Sequence, residues 1–343
     1  MFEELLKGWD GEQAVIRYDG ASGAWMFVCI HSTALGPAGG GTRMRVYERP
    51  GDGLADAMRL SQAMTVKMAV ANANRGGGKA VLAVPELPTG EARRRLLLRY
   101  AELVESLGGM YRTAGDMNIT PADLDVVAER CSYVYGTTKN GGNSGIGTAR
   151  GVLHGIRASV EHVFGSPDLT GRTVLVQGLG AVGAPLARDL AAEGATVLVS
   201  DIDEERNDGH AFVAPDAVIG TECDVYSPCA VGGTVNADSI PRLRCRIVAG
   251  SANNQLGGPA DADRLREAGI LYAPDYVING GGVIQLVGIV DNGWDEQELE
   301  HALAGIGDTL RRIYRDADEA GITSAAAAER LAAERIATGA ANR

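Results

Sequence analysis

Apolar residues recur along the chain with two different periods, which predict where strands and helices lie. Residues 14–30 alternate between apolar and polar positions on either side of a glycine-rich turn, and this pattern predicts a β-hairpin. Residues 54–71 and 90–107 carry apolar residues at helical spacing, which predicts two amphipathic helices. Between them, residues 79–84 (KAVLAV) form a short apolar run ended by Pro85, as expected for a buried strand.

The most regular pattern lies in the second half of the chain. Residues 173–177 (TVLVQ) and 196–200 (TVLVS) are continuously apolar, and a helical pattern at 184–193 separates them. Strands that are apolar on both faces are typical of parallel sheets covered by helices on both sides, so a βαβ unit is predicted. Further elements are predicted as short strands at 225–226, 246–249 and 271–273, and as helices at 148–163 and from about 297 onward.

A glycine-rich motif, GLGAVG, connects the first strand of this βαβ unit to its helix. Gly178 permits a tight turn, Gly180 lets the backbone approach a pyrophosphate, and Gly183 lets the helix pack closely on the strand. The amides around Ala181 and Val182 open the helix, whose N-terminus attracts phosphate. The alternative is a glycine turn in an α/β domain that holds no ligand.

Asp201 stands at the tip of the next strand, 18 residues after the last glycine of the motif. At that position a carboxylate accepts hydrogen bonds from the adenosine ribose, and its charge repels a 2′-phosphate. We therefore expect NAD rather than NADP as the cofactor.

Composition narrows the choice of partners and compartment. The formal net charge of −12 does not favour nucleic acid or anionic membrane surfaces. The N-terminus lacks a signal-peptide pattern, and no apolar run reaches the roughly 18 residues of a membrane span, so a cytoplasmic protein is expected. The five cysteines show no metal-ligand spacing. We expect reduced, mostly buried thiols and no metal site.

Three charged residues lie in segments suited to chemistry. Lys67 lies in the apolar segment MTVKMAV, where a lysine either extends to the surface or has a lowered pKa and acts as a base or carboxylate ligand. Lys79 directly follows three glycines that could hold an anion; the alternative is a lysine at a strand edge. Asp116 lies in the turn-like segment TAGDMN, where an isolated aspartate usually caps a turn.

Three asparagines follow predicted elements of the nucleotide-binding half. Asn253 and Asn254 come just after a buried strand, where polar side chains reach a nicotinamide ribose or carboxamide. Asn279 precedes the run 280–282 of three glycines, which allows close backbone approach. The alternatives are an ordinary polar loop and a helix cap.

Together these segments resemble the glutamate/leucine/phenylalanine/valine dehydrogenase family, and more narrowly its leucine, valine and phenylalanine branch. The matching stretches run in family order through the chain: LGPAGGGTRM, MTVKMAV, GGGKAVLAVP, YRTAGDMN, TARG, VQGLGAVG, CDVYSPCAVGG, VAGSANNQL and APDYVINGGGVIQL.

The resemblance implies a role for each matching residue. Lys67, with backbone at Gly40 and Gly41, would bind the substrate carboxylate, and Asn254 would help to hold the substrate. Lys79 would be the low-pKa lysine that activates water, and Asp116 would move protons at the substrate nitrogen. The residues expected at the cofactor are Thr148, Gly178, Gly180, Ala181, Val182, Gly183, Asp201, Asn253 and Asn279.

The substrate side chain is less clear from the sequence. No cation or polar anchor for a distal carboxylate is apparent, so the pocket is expected to be apolar. The positions that line it in the family correspond to Gly39, Ala114, Val283 and Leu286. Gly39 leaves room for an aromatic side chain, whereas Ala114 and Val283 resemble the branched-chain enzymes. We expect a phenylalanine-type substrate. The alternatives are leucine or valine, tryptophan or an unusual amino acid in a biosynthetic enzyme, and a catalytically idle NAD-binding regulatory protein.

The expected architecture is α/β with two domains and a cleft between them. Residues 1–136 would form an α/β substrate-binding and catalytic domain, to which helices at about 297–343 return. Residues 137–296 would form a Rossmann domain with a doubly wound parallel sheet, and the glycine-rich segment 139–147 would serve as a hinge or ligand loop. The resemblance further implies a homo-oligomer that acts on small molecules.

Overall fold

A computed structural model describes residues 2–141 and 143–341, which divide into two compact units. The first unit comprises residues 1–142, Leu286–Gly293 and Ala332–Arg343, and the second comprises Asn143–Gln285 and Trp294–Leu331. Of the described helices, none combines the length and hydropathy that crossing a bilayer requires.

The first unit is built on a five-stranded sheet. Its strands are β1 (Gln13–Asp19), β2 (Ala24–Ser32), β3 (Ala38–Arg45), β4 (Gly76–Ala83) and β5 (Tyr111–Gly115), in the spatial order β1-β2-β4-β3-β5. Strands β3, β4 and β5 run parallel to one another, while β1 and β2 form the predicted hairpin. The central strand β4 is buried along its whole length, so helices must cover both faces.

Helices cover the two faces of this sheet. The helices of the first unit before residue 142 are α1 (Phe2–Gly8), α2 (Pro50–Val70), α3 (Gly90–Glu105) and α4 (Pro121–Ala128). Apolar residues of α2, including Leu54 and Met58, pack with Phe27 and Val81 on one face. Residues of α3 and α4 pack with the alternate residues of β2, β3 and β4 on the other face.

The second unit contains a six-stranded parallel sheet. Its strands are β6 (Thr173–Gln177), β7 (Thr196–Ser200), β8 (Ala211–Phe212), β9 (Val225–Pro228), β10 (Ile247–Val248) and β11 (Leu271–Tyr272), in the order β11-β10-β9-β6-β7-β8. The remaining helices are α5 (Ser144–Phe164), α6 (Gly183–Ala192), α7 (Ala260–Glu267), α8 (Asp275–Ile278), α9 (Gly281–Asp291), α10 (Glu296–Ala320) and α11 (Ser324–Ala341). The βαβ unit β6-α6-β7 agrees with the sequence pattern to within a residue.

Four local expectations differ from the structure. The segment around Asp116 is only partly a turn: residues 113–115 belong to β5, whose Thr113 also bridges to Val134, and the turn follows at residues 117–118, where Ile119 N donates to the Asp116 carbonyl at 3.1 Å. Strand β3 went unpredicted because its glycines carry no hydrophobic pattern. The run 76–78 is strand rather than loop. Helix α5 begins four residues early, since the Asn143 side chain accepts a hydrogen bond from Gly145 N at 3.0 Å and caps it.

The C-terminal helices also differ from the expectation that residues 297–343 return to the first domain. Helix α10 belongs to the second unit, where Ile306 and Leu310 lie against Gly151 and Gly155 of α5. Only residues from Ala332 onward belong to the first unit, and there Arg335 donates hydrogen bonds to the carbonyls of Ala69 and Val70 at the end of α2. Apolar residues at helical spacing predict that α10 packs, but not which unit receives it.

The cysteines are free thiols, as expected from their spacing. Cys29, Cys131, Cys223 and Cys245 are buried, and Cys229 is half-buried. Burial raises the pKa of Cys29 to about 12 and that of Cys131 to about 11. The thiols of Cys29 and Cys131 therefore stay protonated at neutral pH.

Candidate active site

The chemically important residues of the first unit share one face of its sheet. Parallel pairing places Gly39 of β3 between Gly77 of β4 and Arg112 of β5, and places Gly41 beside Ala114. Because side chains alternate along a strand, Lys79 projects on the same face as Gly77. Asp116, two residues after Ala114, projects there as well. The face is the one that helix α2 covers, since Met68 lies against Gly39 and Thr65 against Gly77.

At one end of this face four charged residues form the Lys79 cluster, which we define as Arg43, Asp56, Lys79 and Asp116. Lys79 Nζ lies 3.0 Å from Asp116 Oδ2, and Arg43 Nε donates to the same oxygen at 3.0 Å. Arg43 also pairs with Asp56 on α2 at 2.9 Å. Asp116 is therefore held between two cations on neighbouring strands, and its carboxylate points at the lysine amine.

Burial sets the protonation of the Lys79–Asp116 pair. Desolvation lowers the pKa of Lys79, whose side chain is 8% exposed, and Arg43 lowers it further, while the Asp116 carboxylate partly opposes the shift. Burial alone would raise the pKa of Asp116, but Lys79 and Arg43 outweigh it and hold that pKa below its usual range. The pair thus combines a lysine that releases its proton more readily than usual with an ionised carboxylate.

Lys67 lies half-buried near the end of α2. It stands between Thr65 and Met68, the two residues that lie against the glycines of this face. Gly41 has no room for a side chain, because a Cβ there would lie 2.5 Å from the Gly115 carbonyl oxygen and 3.0 Å from the Asp116 Cβ. Gly40 points to the opposite face, where its carbonyl accepts a hydrogen bond from the Tyr111 hydroxyl at 2.6 Å.

Next to the Lys79 cluster, the same face of the sheet carries three glycines, Gly39, Gly41 and Gly77. We call these residues the glycine floor. The space above Gly39 is partly filled, because a Cβ there would lie 3.0 Å from Met68 Cε and 4.0 Å from the Tyr135 ring. Ala114 borders the floor on β5 and is half-buried. Leu286 lies in the same unit, where its Cδ2 would be 3.8 Å from a Cβ at Gly136. Thr65 N and Oγ1 would lie 2.1 Å from a Cβ at Gly77, so the small residues of the floor let helix α2 pack directly on the strand backbone.

Beyond the glycine floor lies a second group of charges, the Asp291 cluster, comprising Arg75, Arg112, Tyr135 and Asp291. Asp291 Oδ2 accepts hydrogen bonds from Arg75 Nε at 3.0 Å, from Arg75 Nη2 at 2.5 Å and from the Tyr135 hydroxyl. Arg112 Nη1 lies 3.2 Å from the other carboxylate oxygen. Strand pairing also places Arg112 beside Gly39, one of the residues expected to line the substrate pocket.

In the second unit the glycine turn has the geometry that its motif requires. Gly178 has φ +100°, and a Cβ there would lie 2.7 Å from the Ala230 Cβ, so a side chain cannot fit. A Cβ at Gly183 would collide with the Gly178 carbonyl, whereas one at Gly180 would meet no atom within 4 Å. Ala181 and Val182 complete the turn into α6. Open space at Gly180 before a helix N-terminus suits a pyrophosphate.

Asp201 ties the glycine turn to the neighbouring strand. Its Oδ2 accepts a hydrogen bond from Leu179 N at 2.6 Å, and its Oδ1 accepts one from Asp203 N at 3.0 Å. Burial opposes ionisation, but these backbone donors and Arg206 keep the pKa of Asp201 below its usual value. The carboxylate is therefore fixed and charged at the ends of β6 and β7.

The other predicted cofactor residues of the second unit form a hydrogen-bonded group. Asn279 is buried, and its amide nitrogen donates to Asn253 Oδ1 at 2.9 Å and to the Ser251 carbonyl at 3.2 Å. Thr148 on α5 donates to the Ser144 carbonyl at 2.8 Å, and Gly282 packs against its hydroxyl. Asn279 thus orients Asn253.

Two residues of the second unit were expected at the substrate. Asn254 adopts φ +51°, and Val283 is half-buried on α9. Both belong to the second unit with Asn253, whereas Leu286 belongs to the first.

Sequence reasoning missed Arg43 and Asp56 of the Lys79 cluster and all four members of the Asp291 cluster. Arg43 had a signal, since it is a charged residue within the stretch GGGTRM, on a strand next to Lys79. Arg75 also had one, because it directly precedes the glycines before Lys79. Asp291 had none, because it lies 216 residues from Arg75 and only the fold brings them together.

Comparisons with known proteins agree along the whole chain. Residues 16–139 match the Glu/Leu/Phe/Val dehydrogenase dimerisation domain, and residues 198–343 match the Glutamate/Leucine/Phenylalanine/Valine dehydrogenase domain. A leucine dehydrogenase of Bacillus cereus is 41% identical over 98% of this chain and 93% of its own length. A valine dehydrogenase of Streptomyces coelicolor is 44% identical over 95% of this chain and 92% of its own.

A solved structure supports the same assignment. The L-tryptophan dehydrogenase of Nostoc punctiforme superposes with a TM-score of 0.88, at 38% identity, over 99% of both chains. The two-domain α/β architecture expected from the sequence is confirmed by these matches. The chain belongs to the Glu/Leu/Phe/Val dehydrogenase family of amino-acid dehydrogenases.

Proposed function

We propose that this protein is an NAD-dependent dehydrogenase that oxidatively deaminates an L-amino acid with a phenylalanine-type side chain. In the balanced reaction, the amino acid, NAD⁺ and water give the 2-oxo acid, ammonium, NADH and a proton. The observation that carries the proposal is the ion pair between buried Lys79 and half-buried Asp116 at the head of the glycine floor. A low-pKa lysine beside an ionised carboxylate suits the addition of water to an imine and the departure of ammonia.

The residues of the second unit fit a dinucleotide. The open space at Gly180 would take the pyrophosphate, and the close contact at Gly183 corresponds to the packing of the helix on its strand. The fixed Asp201 carboxylate would bind the adenosine ribose. Thr148, Asn253 and Asn279 would hold the nicotinamide. Bound NAD would supply the hydride acceptor for oxidation at the substrate Cα.

The residues of the first unit would divide the remaining work among them. Lys67 and the backbone of Gly40 and Gly41 would hold the substrate carboxylate. Neutral Lys79 would take a proton from water as its oxygen attacks the imine carbon, and Asp116 would carry protons to and from the nitrogen. Asn254, Ala114, Val283 and Leu286 would contact the rest of the substrate.

A second substrate class, leucine and valine, has its own support. The Met68 thioether occupies part of the space that Gly39 leaves, so there is less room for a substrate side chain. The relatives of 41% and 44% identity are leucine and valine dehydrogenases. Since one methylene in an apolar pocket changes specificity by roughly 10- to 200-fold at most, overlapping substrates are expected.

The assembly and location belong to the same proposal. Residues 1–136 would act as the substrate-binding domain and 137–296 as the NAD-binding domain of a cytoplasmic homo-oligomer. The match of residues 16–139 to a dimerisation domain supports association through the first unit.

The test is NADH formation with separate L-amino acids at alkaline pH, for the wild-type protein and for Lys79→Ala. The matched control is Lys7→Ala, because Lys7 pairs with Glu3 on the surface and is 75% exposed. We expect phenylalanine to be oxidised faster than leucine or valine, and Lys79→Ala alone to be inactive. Faster oxidation of leucine or valine supports the second class. No oxidation of any amino acid supports an idle NAD-binding protein.

A parallel assay with NADP tests the cofactor. Because the Asp201 carboxylate is charged and fixed, we expect NADP to be used far less efficiently than NAD. Asp201→Ser should narrow that difference. Equal use of both cofactors by the wild-type protein would contradict the role given to Asp201.

A further inference from the structure

Strand β3 loses its pairing with strand β4 opposite the lysine of the Lys79 cluster. The two strands pair in parallel on both sides of Gly40 and Gly41, in one register, but not at these two residues, which lie opposite Gly78 and Lys79. On its other side, β3 pairs with β5 without a break through the same residues. The peptide that joins Gly78 to Lys79 therefore depends on a support other than the regular ladder.

The carbonyl of this peptide lies against Gly40. A Cβ at Gly40 would lie 1.8 Å from the Gly78 carbonyl oxygen and 3.4 Å from Lys79 N, so the carbonyl occupies the place of a side chain. Gly40 faces the side of the sheet that α3 and α4 cover, as its alternate neighbour Ala38 does. The carbonyl is thus turned away from the face on which the Lys79 side chain projects.

Tyr111 supports this segment from the same side. Its side chain is fully buried in the core between the sheet and α3. A Cβ at Gly78 would lie 2.8 Å and 2.9 Å from two carbons of the Tyr111 ring, so the ring packs directly on the Gly78 backbone. The hydroxyl donates to the Gly40 carbonyl at 2.6 Å, which fixes the ring in place. One side chain therefore contacts both glycines that meet where the pairing is interrupted.

We propose that Tyr111 is a positioning residue for Lys79, because its ring and hydroxyl hold the Gly78–Lys79 peptide and the Gly40 backbone from the opposite face of the sheet. This backbone sets the point from which the lysine reaches Asp116, and a shift of the peptide would lengthen the 3.0 Å contact between Lys79 Nζ and Asp116 Oδ2. The inference rests on the proposed function, in which Lys79 is the base.

The alternative is that Tyr111 only fills the core, and Tyr100 allows the two roles to be separated. Tyr100 is 1% exposed on the same side of the sheet, and its hydroxyl lies 2.5 Å from Thr42 Oγ1 and 2.9 Å from Thr113 Oγ1. These two threonine hydroxyls also bond to each other at 2.5 Å. Tyr100 thus bonds to side chains, whereas Tyr111 bonds to the backbone beside Lys79. Tyr100→Phe is therefore the matched control for Tyr111→Phe, since each change removes one buried hydroxyl and keeps the ring.

The test measures kcat, the KM for NAD and the pH profile of kcat/KM for deamination in the wild-type protein and in both variants. Denaturant unfolding of each protein compares their stabilities. We expect Tyr111→Phe to lower kcat about 10-fold, because a misplacement of about 1 Å costs roughly 10²-fold and the remaining ring limits the shift. The KM for NAD should stay the same, because the residues expected to bind NAD lie in the second unit.

The pH profile separates positioning from a structural role. The Asp116 carboxylate raises the pKa of Lys79, so a longer contact should lower that pKa and move the acid limb to lower pH. Partial unfolding reduces the amount of active enzyme but does not move the limb. Tyr100→Phe should keep both the wild-type kcat and the wild-type limb. Gly78→Ala, whose Cβ would press on the Tyr111 ring, should displace the same peptide and move the limb in the same direction.

The inference and the proposed function fail in different ways. An acid limb that stays in place or moves to higher pH in Tyr111→Phe overturns the inference and leaves the proposed function standing. Equal changes of kcat and of the limb in Tyr100→Phe overturn it as well, because they would follow from the loss of any buried hydroxyl. If the wild-type protein oxidises no amino acid, the proposed function fails and this inference fails with it.

Discussion

The Lys79 cluster and the Asp291 cluster lie at the two ends of one glycine floor, and each surrounds a carboxylate with two cations. Asp116 contacts Lys79 and Arg43, while Asp291 contacts Arg75 and Arg112. The difference is the lysine. A buried lysine loses its proton within a working pH range, whereas arginine stays charged and presents a rigid fork of donors.

This single difference separates chemistry from structural support. Burial lowers the pKa of Lys79, so the first cluster can exchange protons with a substrate. The second cluster holds a fixed charge and a fixed geometry, which suits it to hold the end of α9 on strand β5. If this comparison is right, variants of the two clusters should fail in different ways.

The largest expected effect is the loss of turnover in Lys79→Ala. Removing a general base typically costs about 10²–10⁴-fold in rate, and this loss should be equal for every amino acid. Arg112→Met should instead lower stability and leave the turnover of the folded enzyme largely unchanged. Steady-state kinetics on phenylalanine, leucine and valine, together with denaturant unfolding, measures both patterns. A Lys79→Ala enzyme that loses one substrate selectively would break the distinction.

The next largest effect is on stability, and it concerns Asp291→Leu. This change leaves two guanidinium groups, 17% and 25% exposed, without their carboxylate. Removing one partner of a buried pair costs about 3 kcal/mol in the free energy of unfolding, discounted here for partial exposure to about 2 kcal/mol. Denaturant unfolding measures it, and Asp10→Leu, whose side chain is 80% exposed, is the control.

The same cluster offers a sharper test when it is replaced as a whole. Exchange of a buried ionic group for apolar residues of similar size is often neutral or stabilising. We expect the triple change Arg75→Met, Arg112→Met and Asp291→Leu to recover most of the stability lost in Asp291→Leu. A triple variant that is no more stable than Asp291→Leu would contradict this expectation.

A smaller effect is expected when the floor between the clusters is filled. In Gly39→Leu the new side chain meets Met68 Cε, 3.0 Å from its Cβ, and the ring of Tyr135. We expect kcat/KM for aromatic substrates to fall about 10–100-fold and that for valine to fall less. Gly8→Leu is the control, since a Cβ there meets no atom within 4 Å. Equal losses for valine and phenylalanine would place the side chain elsewhere.

The sequence predicts the second unit better than the first for a physical reason. Strands β6 and β7 and helix α6 are local, strongly periodic segments, so their pattern alone predicts them to within a residue. Strand β3 has no such pattern, because its glycines leave room for Met68 of α2 and for Asp116. Its strand structure comes from pairing with β4 and β5, which the sequence does not reveal.

The candidate site shows the same limit. Motifs locate Lys67, Lys79 and Asp116, because each of these charged residues stands among glycines or apolar residues, where a charge is unusual. The resemblance implies a low pKa for Lys79 without giving its cause, and in the structure burial and Arg43 lower that pKa. The Asp291 cluster assembles residues from β5, from the segment after α4 and from α9, so it emerges only from the fold.

The smallest effect concerns pH and distinguishes Arg43 from the arginines of the Asp291 cluster. Arg43 helps to lower the pKa of Lys79, so Arg43→Met should raise that pKa towards the ordinary lysine value of about 10.4. Because deamination needs neutral Lys79, the acid limb of log kcat/KM against pH should move to higher pH. Arg112 does not contact Lys79, so Arg112→Met should leave the acid limb of the profile in place. A limb that moves equally in both variants, or in neither, would mean that Lys79 is not the group whose ionisation limits the reaction.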